Sequence, residues 1–198
     1  MKRLCLIGLA AMLAAPAAFA GSMPAGSITG YLTQSGVDID VPGFKGDDDG
    51  MGFGVRGWAS VSGPWFVHGE YQTTTLDDSD QDLQSLRLGG GFAGEMSKGA
   101  YWIVKGEYVD FGSDFEESGF GVHGGAMFSA SDSFGFFGTV GYLSLEDTDG
   151  LEFDVGGKLS FTKEWALSVD YRSYMGSVDP DGDFTVDDLR VGATYTFY

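Results

Sequence analysis

The chain has 198 residues and carries 29 Asp and Glu against 11 Lys and Arg, a formal net charge of −18 that repels nucleic acid. Glycine is abundant at 33 residues, aromatics make up 15%, and prolines number only five, which points to strands rather than long helices. The single cysteine, Cys5, lies in the N-terminal segment, so neither a disulfide frame nor thiol chemistry is open to the rest of the chain.

Residues 1–20 read as a secretory signal peptide. Lys2 and Arg3 form its charged start, Leu4 to Ala15 its apolar middle, and Ala18-Phe19-Ala20 the small-x-small cleavage site before Gly21. A lipid-anchor role for Cys5 is rejected, because no apolar stretch precedes it. The remaining residues, 21–198, are enough for one domain, and none of their windows approaches the roughly 18 to 20 apolar residues of a helical span.

Strands then follow one another along the chain. A first runs from about Ser27 to Ser35. A second places Met51, Phe53, Val55, Gly57, Ala59 and Val61 on one face. The third, Trp65-Phe66-Val67-His68-Gly69-Glu70-Tyr71, is echoed by the fifth, Trp102-Ile103-Val104-Lys105-Gly106-Glu107-Tyr108. Weaker echoes begin at Phe136 and Trp165. Between these lie partner strands through Leu86–Phe92, Phe120–Phe128, Leu151–Phe161 and Leu189–Phe197. Strict period-two alternation marks each as a strand with two unlike faces. The expected fold is an all-β, antiparallel up-and-down transmembrane barrel of ten strands, or eight if the first or a glycine-rich strand does not form, with both termini periplasmic.

The face pattern separates a membrane barrel from a soluble sandwich. One face is apolar, with aromatics at both strand ends: Trp65 and Tyr71, Trp102 and Tyr108, Phe136 and Tyr142, Trp165 and Tyr171. Two such girdles fit the two interfaces of a bilayer. The opposite face carries Arg56, Glu70, Arg87, Lys105, Glu107, His123, Glu152, Asp154, Lys158, Asp170, Arg172 and Arg190. Arg56, Glu70 and Arg87 are expected to form one chain of cross-strand neighbours, Lys158, Asp170 and Arg190 another, and Asp154 to face Arg172. A soluble core does not tolerate so many charges, whereas a barrel interior pairs them. Interior glycines such as Gly54, Gly121, Gly141 and Gly156 are read as leaving space along one side of the lumen.

The end of the chain, Gly192-Ala193-Thr194-Tyr195-Thr196-Phe197-Tyr198, alternates aromatics. It resembles the terminal-strand signal read by the outer-membrane β-barrel assembly machinery, with Gly192, Tyr195, Phe197 and Tyr198 as its marks. Together with the export signal, the alternating strands and the Asp-rich connections, it makes the chain similar to the porin-like outer-membrane β-barrel domain family. The resemblance implies a Gram-negative outer-membrane location, lipid and lipopolysaccharide as surroundings, and periplasmic chaperones during biogenesis. It implies no particular activity, because the family hosts pores, adhesins, structural barrels and a few enzymes.

Five connections, at about 36–50, 74–82, 110–117, 146–149 and 175–186, are expected to be long external loops. With Asp187 and Asp188 beside the last, they hold 21 of the 29 acids, opposed by Lys45 alone. Such a rim attracts cations. Asp179-Pro180-Asp181-Gly182-Asp183 begins like an EF-hand loop, but Phe184 stands where Gly is required and Arg190 where the bidentate Glu belongs. A looser divalent-cation site from Asp179, Asp181 and Asp183 is the remaining metal candidate, and no cofactor is expected.

No enzyme is expected either. His68 and His123 are the only histidines, both on the charged face, and no Gly-x-Ser-x-Gly elbow or His/Cys metal spacing occurs. Two roles remain. The first is a structural or surface-interaction barrel with a charge-plugged lumen; the alternative is a narrow cation-preferring channel.

Overall fold

The computed structural model describes residues 24–113, 117–178 and 182–198; residues 1–20, read above as a signal peptide, and Asp179 and Asp181 lie outside the described residues. The strands are β1 (Gly26–Val41), β2 (Phe44–Ser62), β3 (Trp65–Leu76), β4 (Asp82–Ser97), β5 (Ala100–Ser113), β6 (Glu117–Ser129), β7 (Phe134–Leu145), β8 (Thr148–Ser160), β9 (Trp165–Val178) and β10 (Gly182–Phe197). Each pairs antiparallel with its sequence neighbour, and β1 closes on β10, from Gly26 opposite Phe197 to Asp40 opposite Asp183. The ten-strand expectation holds, and closure leaves no free edge along the length shared by all strands.

The barrel has two unlike ends. One carries both strand termini and the turns at 63–64, 98–99, 130–133 and 161–164; we call it the terminal end. Gly63 and Gly99 sit there at φ 56° and 80°, a backbone that L-residues with a Cβ rarely adopt. The other, acidic, end departs from expectation. Most of the residues expected to be loops are strand: β1 and β2 pair out to Val41 opposite Phe44, leaving only Pro42 and Gly43 as the turn. Gly43 takes φ 91° in that tight reversal. The reason lies in the sequence, where Val37, Ile39 and Val41 alternate with Asp38 and Asp40. Inward apolar residues hold the ribbon together while outward carboxylates stay in water.

The outer wall is apolar in the manner of a protein turned inside out. Leu32, Phe53, Val67, Val104, Val122, Val140, Val155, Leu167 and Val191 are all exposed on it. Rings mark its two margins. Trp65 lies against Phe92 and Trp165 against Tyr195 toward the terminal end, with Tyr108 against Phe120 and Phe153 against Tyr171 toward the acidic end. A wall of this kind is stable only against hydrocarbon. The lumen shows the converse: Arg87, Glu107, His123, Glu152, Asp170, Arg172, Asp188 and Arg190 are buried.

Candidate functional site: the charged lumen

Strand register brings the interior charges into rows. Arg56 stands opposite Glu70, Glu70 opposite Arg87, Asp154 opposite Arg172 and Asp170 opposite Arg190. The ion pairs, however, run across the lumen as well as along these rows, because long side chains from facing walls meet in a narrow barrel. Arg56 reaches past β1 and β10 to Asp170 on β9, with Nη1 at 3.2 Å from Oδ2, and Asp170 also accepts from Arg190 Nε. Glu70 accepts from Arg172 at 2.6 Å and from Arg190 at 3.3 Å rather than from Arg56. Asp154 pairs with Arg190 at 2.7 Å and not with the Arg172 it faces in register. Lys158 shares the lumen face but stands opposite Ser168 and Gly135, so the expected Lys158–Asp170 contact does not form.

A second cluster centres on Arg87. Its guanidinium donates to Glu107 at 2.9 Å and to both oxygens of Glu152 at 2.8 and 2.6 Å. Lys105 completes Glu107 at 2.8 Å. His123 is wedged between the two acids, 3.6 Å from Glu107 and 3.2 Å from Glu152, and His68 lies 3.5 Å from Glu107. Glu107, His123 and Glu152 thus bring three ligand atoms within 4.8 Å of one another. Arg87 and Lys105 already match the two carboxylates in charge, so a divalent cation there would have to displace Arg87. The arrangement is an ion-pair network in its chemistry.

Two kinds of residue were missed in the sequence. Asp188, assigned to the rim by its acidic neighbours, is buried at 2% exposure and accepts from Arg172, Gln72 and Ser35 at 2.8, 2.9 and 2.6 Å. Its even-number parity with Arg190 was the available signal. With it, the charges between the plug and the terminal end balance: Arg56, Arg87, Lys105, Lys158, Arg172 and Arg190 against Glu70, Glu107, Glu152, Asp154, Asp170 and Asp188. The second miss is an apolar plug nearer the acidic end, formed by Val37, Leu76, Leu83, Val109, Phe111, Leu143, Leu145, Tyr174 and Val186. Phe111 and Tyr174 stack at 6.5 Å, and the Arg87 guanidinium lies 5.9 Å from the Phe111 ring. A cavity of about 10 Å³ between plug and network has room for about one water.

Four of the lumen glycines, Gly54, Gly121, Gly141 and Gly156, lie against large side chains instead of open space. A Cβ on Gly141 would lie 2.0 Å from the His123 ring, and one on Gly54 would lie 2.4 Å from the Tyr31 ring. Gly121 receives Leu143 at 2.4 Å and Gly156 receives Phe137 at 2.7 Å by the same construction. Tyr31, so seated, is flanked by the Arg56 and Arg190 guanidinium groups at 5.6 and 5.7 Å and donates to Gln72 at 3.1 Å.

At the acidic end, Asp183 is exposed on β10 opposite Asp40, and Asp48 accepts from the backbone N–H groups of Asp78 and Ser79 at 3.0 Å each and from the Ser79 hydroxyl at 2.6 Å. These bonds, the hydroxyl first, hold the Asp48 carboxyl below the usual carboxylate range. Lys45 bonds Asp40 at 2.8 Å, which raises its ammonium above the usual lysine range.

No family description and no curated protein matches the sequence. Solved structures do match the fold. The outer membrane protease OmpT of Escherichia coli is 10% identical, with TM-score 0.60 over 92% of this chain and 99% of its own. An outer membrane channel of Pseudomonas putida F1 is 10% identical, with TM-score 0.50 over the same shares. The attachment invasion locus protein of Yersinia pestis, determined with the heparin analogue sucrose octasulfate, is 16% identical, with TM-score 0.41 over 87% and 99%. With its closed ten-strand topology, apolar wall and charged interior, the chain folds as a small outer-membrane β-barrel.

Proposed function

We propose that this protein is a closed-lumen barrel of the outer membrane whose work is done at its acidic surface rather than through its interior. The filling of the lumen carries the reading: glycines are taken up by Tyr31, His123, Phe137 and Leu143, the charges are matched, and an apolar plug stands above them. Conduction by a hydrated ion needs a continuous wet path, and the apolar plug and the paired charges stand across it. Residues 1–20 act as a cleaved signal peptide, the terminal end faces the periplasm, and the acidic end faces outward among lipopolysaccharide and its divalent cations. The ending at Gly192, Tyr195, Phe197 and Tyr198 serves recognition by the assembly machinery. The protein is not a hydrolase in this reading, since both histidines are held among lumen charges and neither reaches the acidic rim.

Planar-bilayer conductance of the reconstituted protein under a salt gradient tests this. A folded, silent barrel is the expected result. Stable cation-selective steps that change on Arg56→Gln or Glu70→Gln would overturn the closed lumen and establish the narrow cation channel instead.

A further inference from the structure

β2 is longer than the strand it pairs with. Its ladder to β3 begins at Gly50 opposite Leu76, whereas its ladder to β1 continues to Phe44 opposite Val41. The β1–β2 ribbon therefore rises past β3 with one side unpaired. The backbone polarity of that side follows from the hairpin. With Val41 and Phe44 flanking a two-residue turn, they form the hydrogen-bonded pair, and Gly46 and Asp48 bond to β1 in alternation. Lys45, Asp47 and Asp49 must then direct N–H and C=O away from β1. Asp49 does so visibly, its carbonyl accepting from Asp77 N–H at 2.8 Å. Lys45 and Asp47 have no such backbone partner among the described residues.

The side chains beside this edge have one sign. Asp47 and Asp49 point outward from β2, Asp38 and Asp40 stand opposite Asp47 and Lys45 on β1, and Asp77 and Asp78 lie in the adjoining turn. Lys45 is the single cation, already bonded to Asp40. On the inner face of the ribbon stand Gly46 and Asp48, with the Asp48 carboxylate committed to the 77–81 turn.

We propose that this edge of β2 is a docking strand for an extended, basic polypeptide segment, added to the sheet through the backbone of Lys45 and Asp47. Pairing supplies four main-chain bonds, two donated and two accepted, and the carboxylates select the partner. On the outward face the segment sets Lys or Arg beside Asp47 and Asp49; on the inward face it needs small residues, to pass Gly46 and the turn. The same acids oppose self-association, because a second copy would bring like charges face to face. The inference deepens the surface-interaction reading above, yet it is testable independently of whether the lumen conducts or which side of the membrane the edge faces.

The test is binding of a short alternating Lys-Thr peptide to the reconstituted protein in nanodiscs, against the same peptide N-methylated on every second residue so that one pairing edge is blocked. The unmodified peptide is expected to bind, and methylation to weaken it roughly tenfold, as loss of about two backbone hydrogen bonds implies. Asp47→Pro removes one N–H from the protein side without touching the β1 ladder and should weaken binding about threefold beyond Asp47→Asn, with unchanged heat-modifiable gel migration as the folding check. Asp47→Asn should weaken binding in a salt-dependent way. Equal binding of methylated and unmethylated peptide would mean attraction by charge alone and would overturn the proposal, as would no binding of either. Should Asp47→Pro fail to fold, the methylated peptide on the unaltered protein decides by itself.

Discussion

The lumen and the acidic end are built with the same side chains to opposite ends. In the lumen the buried carboxylates each have a cationic partner: Asp170 with Arg56 and Arg190, Glu152 with Arg87, Asp188 with Arg172. On the ribbon, Asp38 stands opposite Asp47 across the ladder with no cation between them, and Asp183 opposite Asp40. Water makes the difference. Exposed carboxylates at high dielectric repel weakly and keep the edge soluble, whereas a buried one without its partner costs several kcal/mol.

The sharpest way to break the contrast is Asp170→Ala, which leaves Arg56 and Arg190 without this shared acceptor. Loss of about 3–5 kcal/mol, or failure to reach the heat-modifiable folded form, is expected in urea unfolding from vesicles. Gly141→Ala attacks the filling instead of the charge. Its Cβ would need the space His123 occupies, and overpacking of this kind costs about 1–3 kcal/mol, read by the same unfolding curve. A loss of that size would mark the seat as tight, and no loss would mean that the lumen has slack. On the ribbon the sign reverses: Asp38→Asn relieves a like-charge pair and should stabilise by a few tenths of a kcal/mol at low salt, an effect that high salt removes. The smallest effect is in pH. Because the Asp48 carboxyl is held low in the folded protein, its support of the 77–81 turn is complete above the ordinary carboxylate range. It fades as pH falls through the depressed value. Amide protection at Asp78 and Ser79, taken relative to intrinsic exchange at the same pH, should fall on acidification, and in Asp48→Ala it should already be low at neutral pH.

Much of the fold was legible because the alternation is strict. Trp65–Tyr71 and Trp102–Tyr108 announce the face, and the register Arg56–Glu70–Arg87 follows from counting back from the turns. Legibility failed where composition was allowed to outweigh pattern. The run Val37-Asp38-Ile39-Asp40-Val41 alternates as well as any strand, but its acids suggested a loop, and the same bias placed Asp188 on the rim. Register gives Asp170 with Arg190 and Asp188 with Arg172, but not the partners that lie across the lumen. Arg56 reaches Asp170 and Arg172 reaches Glu70 across the barrel, and such contacts depend on its diameter and on which glycine opposite offers a seat. The plug was hidden for a related reason. Leu76, Val109 and Leu143 each look like an unremarkable strand end, and become a core only when five or more strands converge.

The separation in sequence of those cross-lumen pairs bears on how the protein comes to exist in the membrane. Arg56 and Asp170 are 114 residues apart, and Glu70 and Arg172 are 102 apart. A half-inserted sheet lacking its last two strands would hold Arg56 and Glu70 without these partners. Seam closure between β1 and β10 is therefore the step that brings Arg56 to Asp170 and Glu70 to Arg172 and Arg190. The charges act as a latch that makes an open, partially zippered sheet the least tolerable intermediate, and that favours delivery of the last strands before the first is released to pair with them.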